Sequence, residues 1–572
     1  MGVYFDSTVA SNGTGTIGSP FKYLDNYVIT DADTSIYLKY GSVFNVAERG
    51  ISPYKGLSST ATNQKIVIQP YGDSSQPLPV VYSLQASTNH VNWVECDPDE
   101  AAVNHYLVGQ TGSKIWHRAG VGSATLFHAT PGARQWGRWK DTTGNIAPYG
   151  IVYPSQAYDI GLVNITSKHA SLTNSGLGSG TLVYSDGGDP NNVYGTAGVG
   201  GQNYAYATDS LFRFTDPLGG VEIYDIDFQD CVQYAIDIRR TATYERLSSV
   251  LIIDGCKTLC SLGLVRLTFA HTGRTKNIGY AKVRIQNNYC ERTGNSWFSI
   301  FGDTPYVSSL VLNDAIISDN VINGVCQRFS LGGLYLKECH TTDGSYILIT
   351  RNCTTGSEAG HIWRDDGYSY YADFSAQNYK FIQNYGWNNG AGMRFNGTTG
   401  RGIVRGNVIV AGAMTVPYLS AMGSNNPNSV DLPANIEYAY NVSKGYKTFI
   451  GIQDIVASSV FRVHHNISIG SGAGGYGLDV RGPTGITSDY NNFSQGHSYH
   501  MYDTNGAFDG AAGDLSNSAY VTNKLTSNPT SALASIILTP TDPTFNYALT
   551  LPKMDDWTTT PAYSSAPCIN PT

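Results

Sequence analysis

The sequence predicts an almost all-β protein wound as a solenoid, and three observations carry that prediction. One phrase, two or three apolar residues and a polar gap ending in Asn, Asp or Gly, returns from about residue 223 to 491, closing at Asp230, Gly255, Asn287, Asn320, Asn352, Asn384, Asn407, Asn441, Asn466 and Asn491. A spacing of roughly 20 to 50 residues is typical of stacked repeats, none of which buries its own apolar face. The 572 residues include 63 Gly and 40 Tyr but only 14% DEKR, and short strings such as VLII, YILI and GIV replace helical periodicity. A chain this long exceeds one compact core, whereas a solenoid grows by adding coils.

Taken in order, residues 1–90 read as an N-terminal cap and first coils. GVYF is a strand before a Gly/Asn/Thr loop, SIYLKYGSVF alternates and turns at Gly41, and KIVIQPYG is a further strand. Residues 91–215 lose the repeat and gather Trp93, Trp116, Trp136 and Trp139 with Gly/Asn loops, which predicts a β-rich insertion. Residues 216–505 are the central ladder. Each coil there carries a second strand past the turn residue, such as WFSIFG, IWRDDG, MRFNG or LDVRG. Alternation points Phe298, Ile300, Met393, Phe395, Leu478 and Val480 inward and Ser299, Arg394 and Asp479 outward. Residues 506–572 form a small C-terminal cap.

No window is apolar for the ~18 to 20 residues of a membrane span, and no secretory leader opens the chain. A net charge of −8 without a Lys/Arg run argues against nucleic acid. The nine cysteines show no zinc-like CxxC pair. Cys231, Cys256 and Cys353 follow the repeating turn residue in a mostly apolar column, as free, buried thiols would in a reducing cytoplasm. His464 and His465 beside a turn Asn read as structural rather than metal-binding, and no metal or cofactor is expected.

The opening YFDST with its Gly-rich loop and SPFK, followed by YLKYGSVF and IVIQPYG, resembles the N-terminal cap and first coils of right-handed parallel β-helix polysaccharide-degrading enzymes, among them phage tailspike depolymerases. The resemblance implies a right-handed parallel β-helix and a homotrimer. It also implies a virion-tail protein, made in the bacterial cytoplasm, that attaches at the host surface, binds an acidic capsular polysaccharide there and docks through its N-terminus to another tail protein.

Stacking turns sequence into distance, because equivalent positions one coil apart lie about 4.8 Å from each other. Carboxylates two coils apart are then ~9.5 Å apart, near the upper limit for inverting glycosidases. The segment GHIWRDDGYSYY offers His361, Trp363, Arg364, Asp365 and Asp366 together, and SWFSIFGDTPY, two coils earlier, adds Trp297 and Asp303. Asp303, Asp365 and Asp366 are the expected catalytic carboxylates; Glu338 and Asp237 are reserve acids. Trp297, His361, Trp363, Arg364 and Arg394 are the expected sugar-binding residues. Aligning Gly367 with Gly397 makes Arg364 and Arg394 equivalent on adjacent coils, a pair that either an acidic sugar or a carboxylate of a neighbouring subunit or of Asp365 and Asp366 would neutralise. The expected reaction is glycosidic hydrolysis. A lyase, with an Arg neutralising a uronate and His or Tyr taking its proton, is the alternative on the same scaffold. A non-catalytic receptor-binding spike is the alternative from another class.

Overall fold

The protein is a parallel β-helix. The computed structural model describes residues 2–46 except 34, 56–82, short strands at 85–86, 93–95, 114–118, 126–129 and 139–140, and most of 210–508. Within that last stretch, 242–246, 271–277, 303–309, 326–331, 357–367, 413–419, 426–433, 454–458, 472–474, 482–485 and a few single positions fall outside it. The described residues contain strands and turns and no helix.

Each coil runs through a first sheet, turns sharply, and crosses a second sheet in two consecutive strands. The coil from Tyr379–Ile382 through Tyr385–Trp387 and Ala391–Asn396 to Gly400–Arg405 is representative. The first sheet holds 13 described strands, from Gly2–Phe5 to Ile486–Asp489, paired in parallel. A short third sheet, Leu247–Ser248 to Cys339–His340, covers four coils.

Alternation in the first sheet drives burial. Ile68, Ile223, Ile253, Ile285, Ile317, Ile349, Phe381, Val404, Tyr438 and Val463 stack in register down the interior and are essentially unexposed. The inward residues expected of the second strands, Phe298, Ile300, Met393, Phe395, Leu478 and Val480, join the same core. Burying each such side chain contributes about 1.5–3 kcal/mol.

The strand Val80–Tyr82 pairs with residues 227–229, and Leu57–Ser59 with Phe212–Thr215. The chain between Tyr82 and Phe212 is thus an insertion between successive coils. Its described part includes a three-stranded antiparallel sheet, Trp93–Glu95, Lys114–Arg118 and Leu126–Ala129. Phe212–Thr215, assigned to the insertion from sequence, is a strand of the helix. The expected C-terminal cap from 506 lies outside the described residues except for Gly506–Phe508, which folds back antiparallel on Tyr499–Asp503.

The turn falls where the sequence places it at Gly255 and Asn287, and one residue earlier in the coils read as turning at Asn320, Asn352, Asn384, Asn407 and Asn441. The left-handed residues are Asp225, Gly255, Asn287, Asp319, Arg351, Gln383, Gly406 and Tyr440. From Asn287 onward the next residue, Asn288, Asn320, Asn352, Asn384, Asn407 or Asn441, turns its amide inside, and Asn466 and Asn491 continue the column. From Asn288 to Asn466, each donates its backbone N–H and Nδ2–H to the Oδ1 of the next Asn in the column, as Asn352 does to Asn384 at 3.1 and 3.0 Å. Each Nδ2 also donates to a first-sheet carbonyl, for Asn352 that of Ile317 at 2.9 Å. Asn therefore recurs mainly because a buried amide satisfies the backbone where each coil turns. Asp230, counted from sequence as a turn residue, lies inside the strand Asp227–Thr241; that coil turns at Asp225.

Cys256, Cys290, Cys339 and Cys353 are free and buried. Burial pushes the Cys256 thiol up to about 12, so these thiols pack as small apolar side chains.

Candidate functional site

The outward row of the second strand series is set by register. Asp237, Arg266, Ser299, Tyr335, Tyr371, Arg394, Gly423, Gly451, Asp479 and Tyr502 follow one another on successive coils. Two residues further along each strand, Asp373, Asn396, Asn425, Gln453 and Arg481 form a parallel row.

At the first end, Asp237 is fully buried and clamped. Arg266 reaches both its oxygens at 3.1 Å, Arg239 donates at 2.8 Å and Thr268 at 3.3 Å. Burial opposes the charge, but the two guanidinium groups hold the carboxyl below its usual range. An acid so held cannot deliver a proton, which removes Asp237 from the reserve acids.

The middle coils carry an aromatic cluster. Tyr335 and Tyr371 lie with ring centroids 5.2 Å apart, Tyr368 and Tyr371 5.0 Å apart, and Ala391 packs against them. The Tyr335 hydroxyl donates to Asp373 at 2.9 Å. Burial, then the charges of Asp373 and Glu338, push that phenol well above its usual range. Asn396 Nδ2 donates to the Tyr371 hydroxyl at 3.1 Å. Arg394 is the half-buried next member of the row, with no ion pair among the described residues. Glu338 is a buried, left-handed residue at the end of the strand Gly332–Lys337.

Beyond Arg394 the row loses its side chains. Gly423 and Gly451 have no left-handed backbone to explain them. A Cβ on Gly423 would lie 2.9 Å from the Arg394 Nη1 and from the Ser420 Oγ. Gly423 therefore gives the guanidinium room to lie across the sheet. At the far end Asp479 accepts from Arg481 at 3.0 Å, and Arg481 sits 5.4 Å from the Tyr502 ring.

The structure redraws the expected site in three ways. Trp297 is fully unexposed, packed against Phe298 within the core, so it stacks on no ligand; its position just before the strand Phe298–Gly302 turns it inside. Arg394 pairs in register with Tyr371, within the strand Tyr368–Asp373, and not with Arg364. The pairing of Tyr335, Tyr371 and Asp373 escaped the sequence reading, although YSYYAD alternates, because register decides which Tyr meets which acid. Asp303, His361, Trp363, Arg364, Asp365 and Asp366 lie outside the described residues. No group of three His, Cys, Asp or Glu able to hold a metal occurs among the described residues.

No family model matches the chain, and no curated protein matches it. It is similar to four solved chains. One of these, titled "The complex structure of XylC with xylose", is 12% identical, covers 83% of this chain and 76% of its own length, and superposes with a TM-score of 0.41.

Proposed function

We propose that the protein binds an acidic bacterial surface polysaccharide along the outer face of the second sheet and cleaves it by glycosidic hydrolysis, as a tailspike depolymerase does. The observation that carries this reading is the middle cluster, where the half-buried Arg394 guanidinium and Asn396 amide lie on one face, braced by three buried tyrosines and the buried carboxylate of Asp373. An amide bonds sugar hydroxyls and a guanidinium pairs an anionic group bidentately, while the packed rings and Asp373 hold the two in place. Asp365 and Asp366 precede this cluster by two or three residues in sequence and are the proposed acid and base, with Asp303 as the remaining candidate; His361, Trp363 and Arg364 would extend the sugar contacts. A homotrimer on a virion tail, joined through its N-terminus to another tail protein, belongs to the same proposal.

The test is incubation of the purified protein with a panel of capsular polysaccharides. A fall in polymer size with new reducing ends, lost in Asp365→Asn or Asp366→Asn, is the expected result; general acid or base removal costs 10²- to 10⁴-fold. An unsaturated uronate product would make the protein a lyase, and binding with no change in polymer size would make it a receptor-binding spike.

A further inference from the structure

The first sheet carries its own constellation, facing away from the site above. Glu437 sits between two cations from different coils. Arg405 on the preceding coil donates to its oxygens at 3.1 and 3.0 Å, and His464 Nε2 on the following coil lies 3.0 Å away. The ring of Tyr440 contacts both, 5.9 Å edge-on from His464 and 5.7 Å from the Arg405 guanidinium. Tyr440 has φ +56°, a left-handed backbone that a bulky aromatic adopts only at a cost of about 1–2 kcal/mol. Seven other coils fill this turn position with Asp, Gly, Asn, Arg or Gln, so the ring is not needed for the turn itself.

Arg462 stands in register beside Glu437 yet forms no ion pair with it, and it is exposed with no partner among the described residues. Arg401, one coil before Glu437, is likewise exposed and unpaired among the described residues. Lys380 adds a further cation, 4.0 Å above the Tyr346 ring. On these strands the described side chains thus bring four cations, Lys380, Arg401, Arg405 and Arg462, against the single carboxylate of Glu437, in a chain of net charge −8. From strand spacing and rise, Arg401 and Arg462 are about 12 Å apart. That separation suits successive charges on a polymer better than one small anion.

The geometry points to a second binding site on the first sheet, centred on Arg401 and Arg462 beside the buried Tyr440, that takes the repeated carboxylates of an acidic polysaccharide. Glu437 is already engaged by Arg405 and His464, so it fixes the cluster and leaves Arg401 and Arg462 for the ligand. Nucleic acid fits less well, because its charges every ~1.7 Å lie far closer together than the two arginines. The site would hold polymer without cutting it, and it does not depend on cleavage occurring at the second sheet.

The test measures binding of a glucuronate hexasaccharide, its carboxyl-reduced counterpart and a DNA oligonucleotide by titration calorimetry. The wild-type protein should bind the carboxylated probe at least tenfold more tightly than either of the others. The double variant Arg401→Ala/Arg462→Ala should lose about tenfold or more of that affinity while keeping its melting temperature, since both residues are exposed. Unchanged affinity in the double variant, equal binding of the reduced sugar, or tighter binding of DNA overturns the inference. Loss of binding in Arg394→Ala but not in the double variant also overturns it, while leaving the second-sheet proposal intact.

Discussion

Gln383 and Asn384 are adjacent in one turn and do opposite things. Gln383 carries the left-handed backbone at φ +56°, while Asn384 is buried and accepts from the backbone and side-chain amides of Asn352. Gln383→Gly relieves a conformational cost, so chemical denaturation should show a gain of about 1 kcal/mol. Asn384→Ala strands two buried donors and should lose about 3 kcal/mol in the same measurement. Comparable losses for both variants would remove the distinction between turn residue and ladder residue. Trp297→Ala should cost about 3–5 kcal/mol through a core cavity, with sugar affinity unaltered in the folded fraction. Asn was legible here as a recurring letter, but its role was not, because solvation of an amide depends on which way it points after the turn.

At the scale of a strand and its neighbours, row partners decide chemistry. Gly423→Val places carbon where the Arg394 guanidinium lies, and it should weaken polysaccharide binding several-fold, as Arg394→Ala does, on an affinity column of immobilised capsule. Unimpaired retention would show that Arg394 does not face the ligand. In the first sheet the hydrogen bond from His464, against opposing burial and with the help of Arg405, lowers the Glu437 carboxyl below its ordinary range. A depressed folded pKa means that stability is present above the unfolded value, about 4.3, and is lost as pH falls through the folded one. The melting temperatures of wild type and Glu437→Gln should therefore differ near neutral pH and converge in acid. A difference that persists in strong acid would contradict the ion-pair account. Alternation within strands such as MRFNG revealed their inward and outward faces correctly. Register between strands did not show, because loops of unequal length shift one coil against the next, and Arg394 thereby came to lie beside Tyr371.

Across the whole molecule, the repeat makes stability a sum over neighbouring coils. The amide ladder from Asn288 to Asn491 runs unbroken through that stack, so a break at its centre removes support from both sides. The described cysteines lie within the same interior, and burial raises their thiols far above neutral pH. A thiol reagent should leave Cys256, Cys290, Cys339 and Cys353 unmodified in the native protein and label them on denaturation; mass mapping of the labelled peptides checks this, and rapid native labelling of these four would contradict the packing.

The sequence by itself determined that this chain is a β-solenoid, where its turns recur and which side chains alternate inward, since these follow from local spacing and the pleat of a strand. Only the tertiary structure decided that Ile68 packs directly beneath Ile223 across a long insertion, that Trp297 points inward, that Asp237 is neutralised by two arginines, and that Glu437 gathers Arg405, His464 and Tyr440. Those outcomes are contacts between coils. They depend on how many residues each loop spends before the next strand begins, a quantity that shifts register by whole residues while leaving the local pattern unchanged.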